Sequence, residues 1–282
     1  MKKIYDEYVK WLIIIVIAIL VGWQYDAFQK NLHEVEIRIK KFESVDLFNI
    51  LEQISLAHIE SVESIDILNK KQIEVQALAK EIREDGGICE PIPVDMVDRQ
   101  SIRNAVQKAE DSLGTVNTLI NNAGIPDAQW AIKQSDELID SVVDTNLVGP
   151  YLLSNEVARR LIEKKMPGRM VNIASMAAFN TTPNSAASLY SITKASIVRL
   201  TEALATEWAS YNINVNCIAP GCFSSEMLDG MIERIGDISQ GFPRKRICDP
   251  AQMDSTLLFL VSPSSECVTG TFIKIDDGQG SR

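Results

Sequence analysis

Glycine and proline are almost missing from the first part of this chain. Residues 1–85 contain one glycine, Gly22, and no proline, whereas the rest of the 282-residue chain holds every other glycine and all 10 prolines. Tight turns and close backbone approaches need these residue types. The N-terminal part is therefore predicted to be mostly helical, and the remainder to be a loop-rich domain.

Histidine, paired cysteine and excess positive charge are scarce as well. The only histidines, His33 and His58, lie in the first quarter, which excludes a histidine metal site or a Ser-His-Asp triad built from the remainder alone. The 5 cysteines form no CxxC pair, so neither a disulfide framework nor a metal site is predicted. A formal net charge of -10 provides no cationic surface for nucleic acid. Acid–base chemistry must therefore use Tyr, Lys, Asp or Glu.

An uncharged apolar run with a tryptophan at each end covers Trp11–Trp23. The run is short for a membrane-spanning helix, because a helix rises about 1.5 Å per residue and a hydrocarbon core is about 30 Å thick. Terminal tryptophans and preceding lysines are nevertheless typical of a membrane interface. We predict a hydrophobic anchor helix over residues 1–26, with membrane contact over 8–28 and the catalytic domain in the cytoplasm. The alternative is a buried helix of a cytoplasmic protein.

The pattern changes twice after this run. Residues 27–64 have apolar positions at helical spacing and are predicted to form an amphipathic helix or helix pair. From residue 65 short strands alternate with helices, beginning with a predicted strand at Ile65–Leu68 and a helix at Gln72–Arg83. This alternation predicts an α/β domain over 65–282, with a doubly wound (Rossmann-like) parallel sheet and a ligand crevice at the carboxyl ends of its strands.

Tyr190 and Lys194 are four residues apart on a predicted helix and therefore share one face. A nearby ammonium favours the phenolate and draws a phenol pKa of about 10 toward the working range of an acid–base group. Ser175 ends a predicted strand, where its hydroxyl is suited to bind a substrate oxygen. Asn146 is a polar residue within an apolar helix, and a hydrogen-bonded core amide is the alternative interpretation.

Three other strand ends are suited to a flat ligand. NNAG at 121–124 combines small residues with a glycine, which allows close backbone approach. Asp95 ends the run PIPVD, where its carboxylate can accept a hydrogen bond from an exocyclic amine. Pro220 and Gly221 make a turn after the strand INVNCIA.

From about residue 65 to its end, the chain resembles the short-chain dehydrogenase/reductases, of the 3-oxoacyl-acyl-carrier-protein reductase type. The resemblance implies hydride transfer between NAD(P)(H) and a small-molecule carbonyl or secondary alcohol, with no metal, in a homodimer or homotetramer. The residues that carry it are, in order, Asp95, Asn121–Gly124, Asn146, Ser175, Tyr190, Lys194, Asn216, Pro220, Gly221 and the segment VTGTFIKIDDG at 268–278.

The resemblance also implies a role for each site residue. Tyr190 is the expected acid/base, and Lys194 is expected to lower its pKa and to hold the nicotinamide ribose. Ser175 orients the substrate oxygen, while Asn146 anchors a water in a proton relay. The residues implied to bind the cofactor are Asp95, Asn122, Ala123, Gly124, Tyr190, Lys194, Pro220, Gly221, Phe223 and Ser225.

One part of the family pattern is missing. The family opens with a strand and the motif TGxxxGxG, whose glycines let a pyrophosphate contact backbone N–H groups at a helix N-terminus. Counting back from the strand predicted at Ile65–Leu68 places this loop near Glu43–Ile50, which contains no glycine and two acidic residues. The sheet is therefore predicted to be incomplete at its N-terminal strand.

Because the TGxxxGxG motif is missing, two functions remain open, and the choice between NADP and NAD has to come from other residues. The chain is either an oxidoreductase, or a membrane-tethered pseudoenzyme or truncated or chimeric gene product that binds dinucleotide weakly or not at all. After the predicted second strand, the residues 69–71 provide two lysines and no acid, which favours NADP over NAD.

Overall fold

The computed structural model describes the backbone of residues 14–16, 20–22, 35–38, 57–59, 63–181 and 186–280, and side chains from residue 71 onward within these ranges. The described strands are β1 (Ile14–Val16), β2 (Leu20–Gly22), β3 (Val35–Arg38), β4 (Ala57–Ile59), β5 (Ile88–Glu90), β6 (Thr118–Asn121), β7 (Gly168–Ile173), β8 (Ile213–Pro220) and β9 (Phe272–Ile275). The described α-helices are α1 (Glu63–Glu84), α2 (Arg99–Leu113), α3 (Asp136–Val143), α4 (Gly149–Lys164), α5 (Ser188–Trp208), α6 (Glu226–Ile235) and α7 (Asp254–Val261).

Seven strands form one sheet in the order β5-β3-β1-β6-β7-β8-β9, and β2 pairs with β4 in a separate two-stranded sheet. The pairs from β1 through β6, β7 and β8 to β9 are all parallel, whereas β3 runs antiparallel to both of its neighbours. The predicted α/β fold with a mainly parallel sheet is therefore confirmed. The gap predicted at the N-terminal side of the sheet is wrong, because β1 pairs directly with β6 there.

The central strands are buried on both faces, as expected of a sheet covered by helices. On β6, Leu119 faces one core and Ile120 the other, following the two-residue period of a strand. The Ile120 side packs against α1 and α7, and the Leu119 side packs against α2, α4 and α5. Burying each such leucine or isoleucine contributes roughly 1.5–3 kcal/mol. These two cores fix where β6, β7 and β8 end, which is where the site lies.

The helix predictions for the N-terminal segment are wrong at the residues described before α1, whereas residues 63 and 64 are helical as predicted. Ile14–Val16 and Leu20–Gly22 are strands within the predicted anchor helix 1–26, and Val35–Arg38 and Ala57–Ile59 are strands within the predicted helical segment 27–64. A short run of β-branched residues fits a buried strand as well as a helix, and periodicity alone does not separate them. The remainder of these predictions lies outside the described residues. Within the described ranges, no helix is long and apolar enough to cross a membrane.

The strand predicted at Ile65–Leu68 is also wrong, because these residues lie in α1. A four-residue apolar run is ambiguous, and here the chain continues the helical turns of the following residues. Two inferences depended on that strand. The proposed loop position Glu43–Ile50 lies outside the described residues, and the lysine argument for NADP loses its basis. Lys71 lies on α1 and forms an ion pair with Glu226 of α6.

Candidate active site

A cleft opens where β6, β7 and β8 end, at the carboxyl edge of the parallel sheet. Helices on both faces leave this edge open, so residues that follow neighbouring strands converge on it. Tyr190 and Lys194 enter from α5. The residues that line the cleft are Asn122, Gly124, Ile173, Ala174, Ser175, Tyr190, Lys194, Pro220, Gly221, Phe223, Ser225, Met227 and Met253.

Tyr190 and Lys194 lie one turn apart at the start of α5, as the sequence predicts. The Lys194 Nζ is 5.6 Å from the centre of the Tyr190 ring. The same Nζ donates a hydrogen bond of 2.9 Å to the carbonyl oxygen of Ile173, the last residue of β7. The lysine side chain is thereby tied to the sheet rather than to solvent, and only 3% of Lys194 is exposed.

Burial controls the ionisation of both groups. It raises the pKa of Tyr190 to about 12, with a hydrogen bond to Ser175 acting in the opposite direction. It lowers the pKa of Lys194 to about 8, because the cleft disfavours the charged ammonium. The predicted lowering of the Tyr190 pKa by Lys194 is not found, because burial has the larger effect and Lys194 is not among the groups that shift this pKa. At neutral pH Tyr190 carries its proton and is set up as an acid.

Ser175 follows β7 and sits beside Tyr190. Its backbone is extended, and its Oγ accepts a hydrogen bond of 3.1 Å from the backbone N–H of Ala177, which caps the short 3₁₀ turn Met176–Ala178. The cap fixes the hydroxyl at the carboxyl edge of the sheet. Since Ser175 also bonds Tyr190, the two hydroxyl groups form one polar pair in the cleft.

Asn146 lies in a π-helical segment, Asp144–Val148, between α3 and α4. Its Oδ1 accepts from the backbone N–H of Ile125 at 2.8 Å, and its Nδ2 donates to the Ile125 carbonyl at 2.9 Å and to Thr193 Oγ1 at 3.3 Å. Such bulges are frequent at functional sites because they redirect one side chain out of the helical register. Here Asn146 ties the loop after β6 to α5.

The loop after β6 approaches Lys194 closely at Gly124. A Cβ added there would lie 3.1 Å from Lys194 Nζ and 3.4 Å from Asn146 Oδ1. The glycine predicted from NNAG is therefore needed for packing against the site. Asn122 lines the cleft, whereas Ala123 is buried outside the lining set.

The loop after β8 forms the other wall. Pro220 ends the strand, and Phe223 and Ser225 line the cleft as the resemblance implies. Ser225 also begins α6, accepting a hydrogen bond of 3.0 Å from the Leu228 backbone N–H.

Asp95 does not line the cleft. It lies beyond β5, 7% exposed, and its Oδ1 accepts a hydrogen bond of 3.0 Å from the Val97 backbone N–H. Burial raises the pKa of its carboxyl group to about 6.

Sequence reasoning missed Asp127, Thr193 and Met227. Met227 lines the cleft from α6, and Thr193 bonds Asn146. Asp127 accepts hydrogen bonds from the first turn of α5. None of the three has a spacing that singles it out, because each partner is distant in sequence or belongs to an ordinary helical turn.

The described part of the cleft fits the nicotinamide half of a dinucleotide. Lys194 has three donors, of which the structure assigns one to Ile173, and the ammonium lies in the lining where ribose hydroxyl oxygens would accept from it. Gly124 keeps the space above Lys194 free of a side chain. The segment predicted to face the pyrophosphate lies outside the described residues. In the described ranges, no cluster of acidic, cysteine or histidine side chains is arranged to hold a metal ion.

Comparison with known families decides the identity of the domain. A family model described as enoyl-(acyl carrier protein) reductase matches residues 61–279. The chain belongs to the short-chain dehydrogenase/reductase family. It is therefore an NAD(P)-dependent oxidoreductase that transfers hydride between the cofactor and a carbonyl or secondary alcohol. Residues 1–60 lie outside the family match.

Individual relatives agree with this assignment. A 2-dehydro-3-deoxy-D-gluconate 5-dehydrogenase of Dickeya dadantii is 32% identical over 219 residues, covering 76% of this chain and 85% of the relative. A 3-oxoacyl-[acyl-carrier-protein] reductase of Chlamydia muridarum is 34% identical over 186 residues, covering 66% of this chain and 74% of the relative.

Two solved structures share the fold. A 4-hydroxyisoleucine dehydrogenase complexed with NADH has a TM-score of 0.57 and 32% identity, covering 66% of this chain and 78% of that one. An actinorhodin polyketide ketoreductase variant with NADPH has a TM-score of 0.66 and 27% identity, covering 73% and 84%.

Proposed function

We propose that this short-chain dehydrogenase/reductase acts as a carbonyl reductase in which Tyr190 donates the proton. The observation that carries the proposal is the half-buried Tyr190–Ser175 pair, whose hydroxyl groups are hydrogen-bonded in the cleft beside Lys194. A neutral phenol is the form that a developing alkoxide needs as its proton source, whereas oxidation of an alcohol needs the phenolate. The protonated Tyr190 is therefore the form of the site that serves reduction.

Each neighbouring residue has a distinct task in this reaction. Ser175 donates a hydrogen bond to the substrate oxygen, and Tyr190 delivers the proton to the same oxygen. When bound, the nicotinamide ring supplies the hydride. Lys194 holds the ribose and stabilises negative charge that remains on the tyrosine oxygen after the proton leaves. Asn146 keeps the loop after β6 and the first turns of α5 together, through Ile125 and Thr193.

The proposal is tested by measuring reduction of a small diketone with NADPH and with NADH. Tyr190→Phe keeps the ring and removes only the proton donor, so we expect turnover to fall by about 10²–10⁴-fold, the usual contribution of general acid–base catalysis. Tyr211→Phe is the matched control, because Tyr211 is half-exposed and far from the cleft lining. Turnover of Tyr190→Phe within about threefold of the parent would remove Tyr190 from the acid role.

The choice between NADPH and NADH and the natural substrate belong to the same proposal. One structural neighbour carries NADH and another NADPH, so the fold accommodates either cofactor. The two lysines at 70 and 71 no longer favour NADP, because they lie in α1. The rates of diketone reduction with NADPH and with NADH therefore decide which cofactor is preferred. Relatives named for a sugar-acid substrate and for an acyl-carrier-protein substrate support a carbonyl or secondary alcohol substrate without selecting one.

The second candidate function is a pseudoenzyme that binds the dinucleotide weakly or not at all. The observation that favours it is that residues 1–60, where the family places its phosphate loop, lie outside the family match and contain one glycine. Titration of NADPH fluorescence on the full chain separates the two: binding near a micromolar dissociation constant supports the enzyme, and no binding at millimolar concentration supports the pseudoenzyme.

Membrane attachment through residues 8–28, a cytoplasmic catalytic domain and a homodimer or homotetramer are further proposals. The Trp-bracketed apolar run in the sequence supports the attachment. Half-exposed Tyr151 on α4 and exposed Ile192 on α5 support association through these two helices.

A further inference from the structure

Asp127 is a buried carboxylate that joins the loop after β6 to the helix bearing Tyr190. Its Oδ2 accepts hydrogen bonds from the backbone N–H of Leu189 at 2.9 Å and from that of Tyr190 at 3.3 Å. The Gln134 Nε2 donates to the same oxygen at 2.9 Å. Only 2% of Asp127 is exposed. A carboxylate at a helix N-terminus satisfies unpaired N–H donors and interacts favourably with the positive end of the helix dipole.

The second oxygen of this carboxylate is unused. Asp127 Oδ1 is buried and has no hydrogen-bond partner among the described residues. An ordinary helix cap needs one oxygen, and a buried unpaired carboxylate oxygen is costly. A neutral asparagine would offer the same acceptor oxygen to the helix without a buried charge. The negative charge itself therefore requires an explanation beyond capping.

The charge acts on Tyr190. The groups that interact with the tyrosine are the hydroxyl of Ser175 after β7, the thiol of Cys222 after β8, Lys194 on its own helix and Asp127 from the loop after β6. Burial is the largest cause of the raised pKa of Tyr190, the hydrogen bond to Ser175 opposes it, and the charge of Asp127 adds to it. Cys222 is negatively charged only at strongly alkaline pH, because burial raises the pKa of its own thiol to about 11. Asp127 is the member of this set that also holds the backbone of Tyr190.

We infer that Asp127 is a positioning residue of the active site, which fastens the loop after β6 to the first turn of α5 and places a negative charge at the start of the helix that carries Tyr190. The inference rests on the proposed function. Asp127 lies two residues after Ile125, whose backbone is held by Asn146. The loop is thus fastened to α5 at two points, through Thr193 by Asn146 and through the first turn by Asp127.

Asp127→Asn is the main variant, because asparagine retains an acceptor oxygen for the helix while removing the charge. Reduction of the diketone falls as pH rises through the tyrosine pKa. Loss of the charge lowers that pKa, so we expect the falling limb to move to lower pH. Asp127→Ser is the second variant, with a shorter cap and no charge. We expect its kcat to fall roughly tenfold or more, since misplacing a reacting group by about 1 Å costs about a hundredfold.

Asp249→Asn is the matched control. Asp249 is an exposed aspartate that caps another helical turn, accepting from the Ala251 backbone N–H at 3.0 Å. This variant repeats the same chemical change without a charge beside Tyr190. We expect its pH profile to coincide with that of the parent.

A second readout does not depend on turnover. The tyrosinate absorbance of the parent minus that of Tyr190→Phe isolates the titration of Tyr190, and the same subtraction in the Asp127→Asn background shows whether its midpoint falls. A lower midpoint in either charge-free variant supports the inference even if the parent proves inactive, which would count against the proposed function alone. An unchanged midpoint and an unchanged pH limb in whichever variant folds would overturn the inference while leaving Tyr190 as the acid.

Discussion

Residues 61–279 and residues 1–60 of this protein differ in how far they follow the family. The first region matches the family model, and its strand ends bring Asn122, Ser175 and Pro220 to one cleft beside Tyr190. The second region lies outside the match, and its described parts are short strands, one of which, β3, runs antiparallel to its neighbours. The same sheet therefore combines a regular catalytic half with an irregular N-terminal half.

The comparison shows that the two ends of a dinucleotide site come from different parts of the chain. Tyr190, Lys194 and the cleft-lining residues that follow β6, β7 and β8 all come after residue 120. The family's phosphate-binding glycines belong to its first strand and helix. A chain can thus retain every proton-transfer group and still lack the backbone donors that supply much of the dinucleotide affinity.

The largest expected effect comes from exchanging the N-terminal half. Replacing residues 1–62, which precede α1, by a strand–TGxxxGxG–helix segment of an active relative should tighten NADPH binding by about a hundredfold or more, because a few charge-assisted hydrogen bonds of about 1.5–3 kcal/mol each are added. Fluorescence titration of NADPH measures the change.

A second chimera with alanine at the three motif glycines is the control, since it has the same length and elements but a blocked phosphate approach. Equal affinity of the unmodified chain and the glycine chimera would remove the distinction between the two regions. It would also remove the argument for the pseudoenzyme.

A smaller effect is expected from Gly124→Ala within the matched half. The added Cβ would lie 3.1 Å from Lys194 Nζ, so the lysine or the loop must shift by a few tenths of an ångström. We expect diketone turnover to fall about tenfold, because small displacements of reacting groups are costly. Gly230→Ala on α6 is the control, since nothing lies within 4 Å of its added Cβ. If Gly124→Ala turns over as fast as that control, a small displacement of Lys194 or of the loop after β6 does not affect catalysis.

From α2 onward the sequence predicted the site-bearing elements well because they have local signals. Asp98 and Ser135 cap α2 and α3, and NNAG follows a short apolar strand whose residues are all buried. The Tyr190–Lys194 spacing depends only on one helical turn, which local sequence determines. Such features need no knowledge of distant contacts.

The failures have a common physical cause. Ile14–Val16 and Ile65–Leu68 are short apolar runs that suit a helix or a strand equally, so distant partners decide between them. Asp127 was missed for the same reason: its helix partners Leu189 and Tyr190 are 62 and 63 residues away. The raised pKa of Tyr190 also depends on burial by several elements, which a four-residue spacing cannot reveal.

The smallest expected effect concerns Asp95, which belongs to the matched half but lies outside the cleft lining. Burial raises the pKa of its carboxyl group to about 6, and the neighbouring charge of Asp98 adds to this against the Val97 N–H. A carboxyl group whose folded-state pKa exceeds its unfolded value destabilises the fold above the folded pKa, and the cost disappears as pH falls toward the unfolded pKa.

Asp95→Asn should therefore stabilise the protein at about pH 8 by roughly 1–2 kcal/mol, since one pKa unit corresponds to about 1.4 kcal/mol and part of the cost is relieved by relaxation. The gain should vanish near pH 4, where the Asp95 carboxyl group of the folded parent is protonated and therefore neutral, like asparagine. Asparagine can still accept from Val97, so the loop geometry is kept. Urea unfolding at both pH values measures the difference, with Asp249→Asn as the control, because Asp249 is exposed and is not among the groups that shift the Asp95 pKa. A gain of equal size at both pH values, or a loss at pH 8, would contradict the prediction. It would mean that the ionised Asp95 carboxylate does not lower the free energy of unfolding.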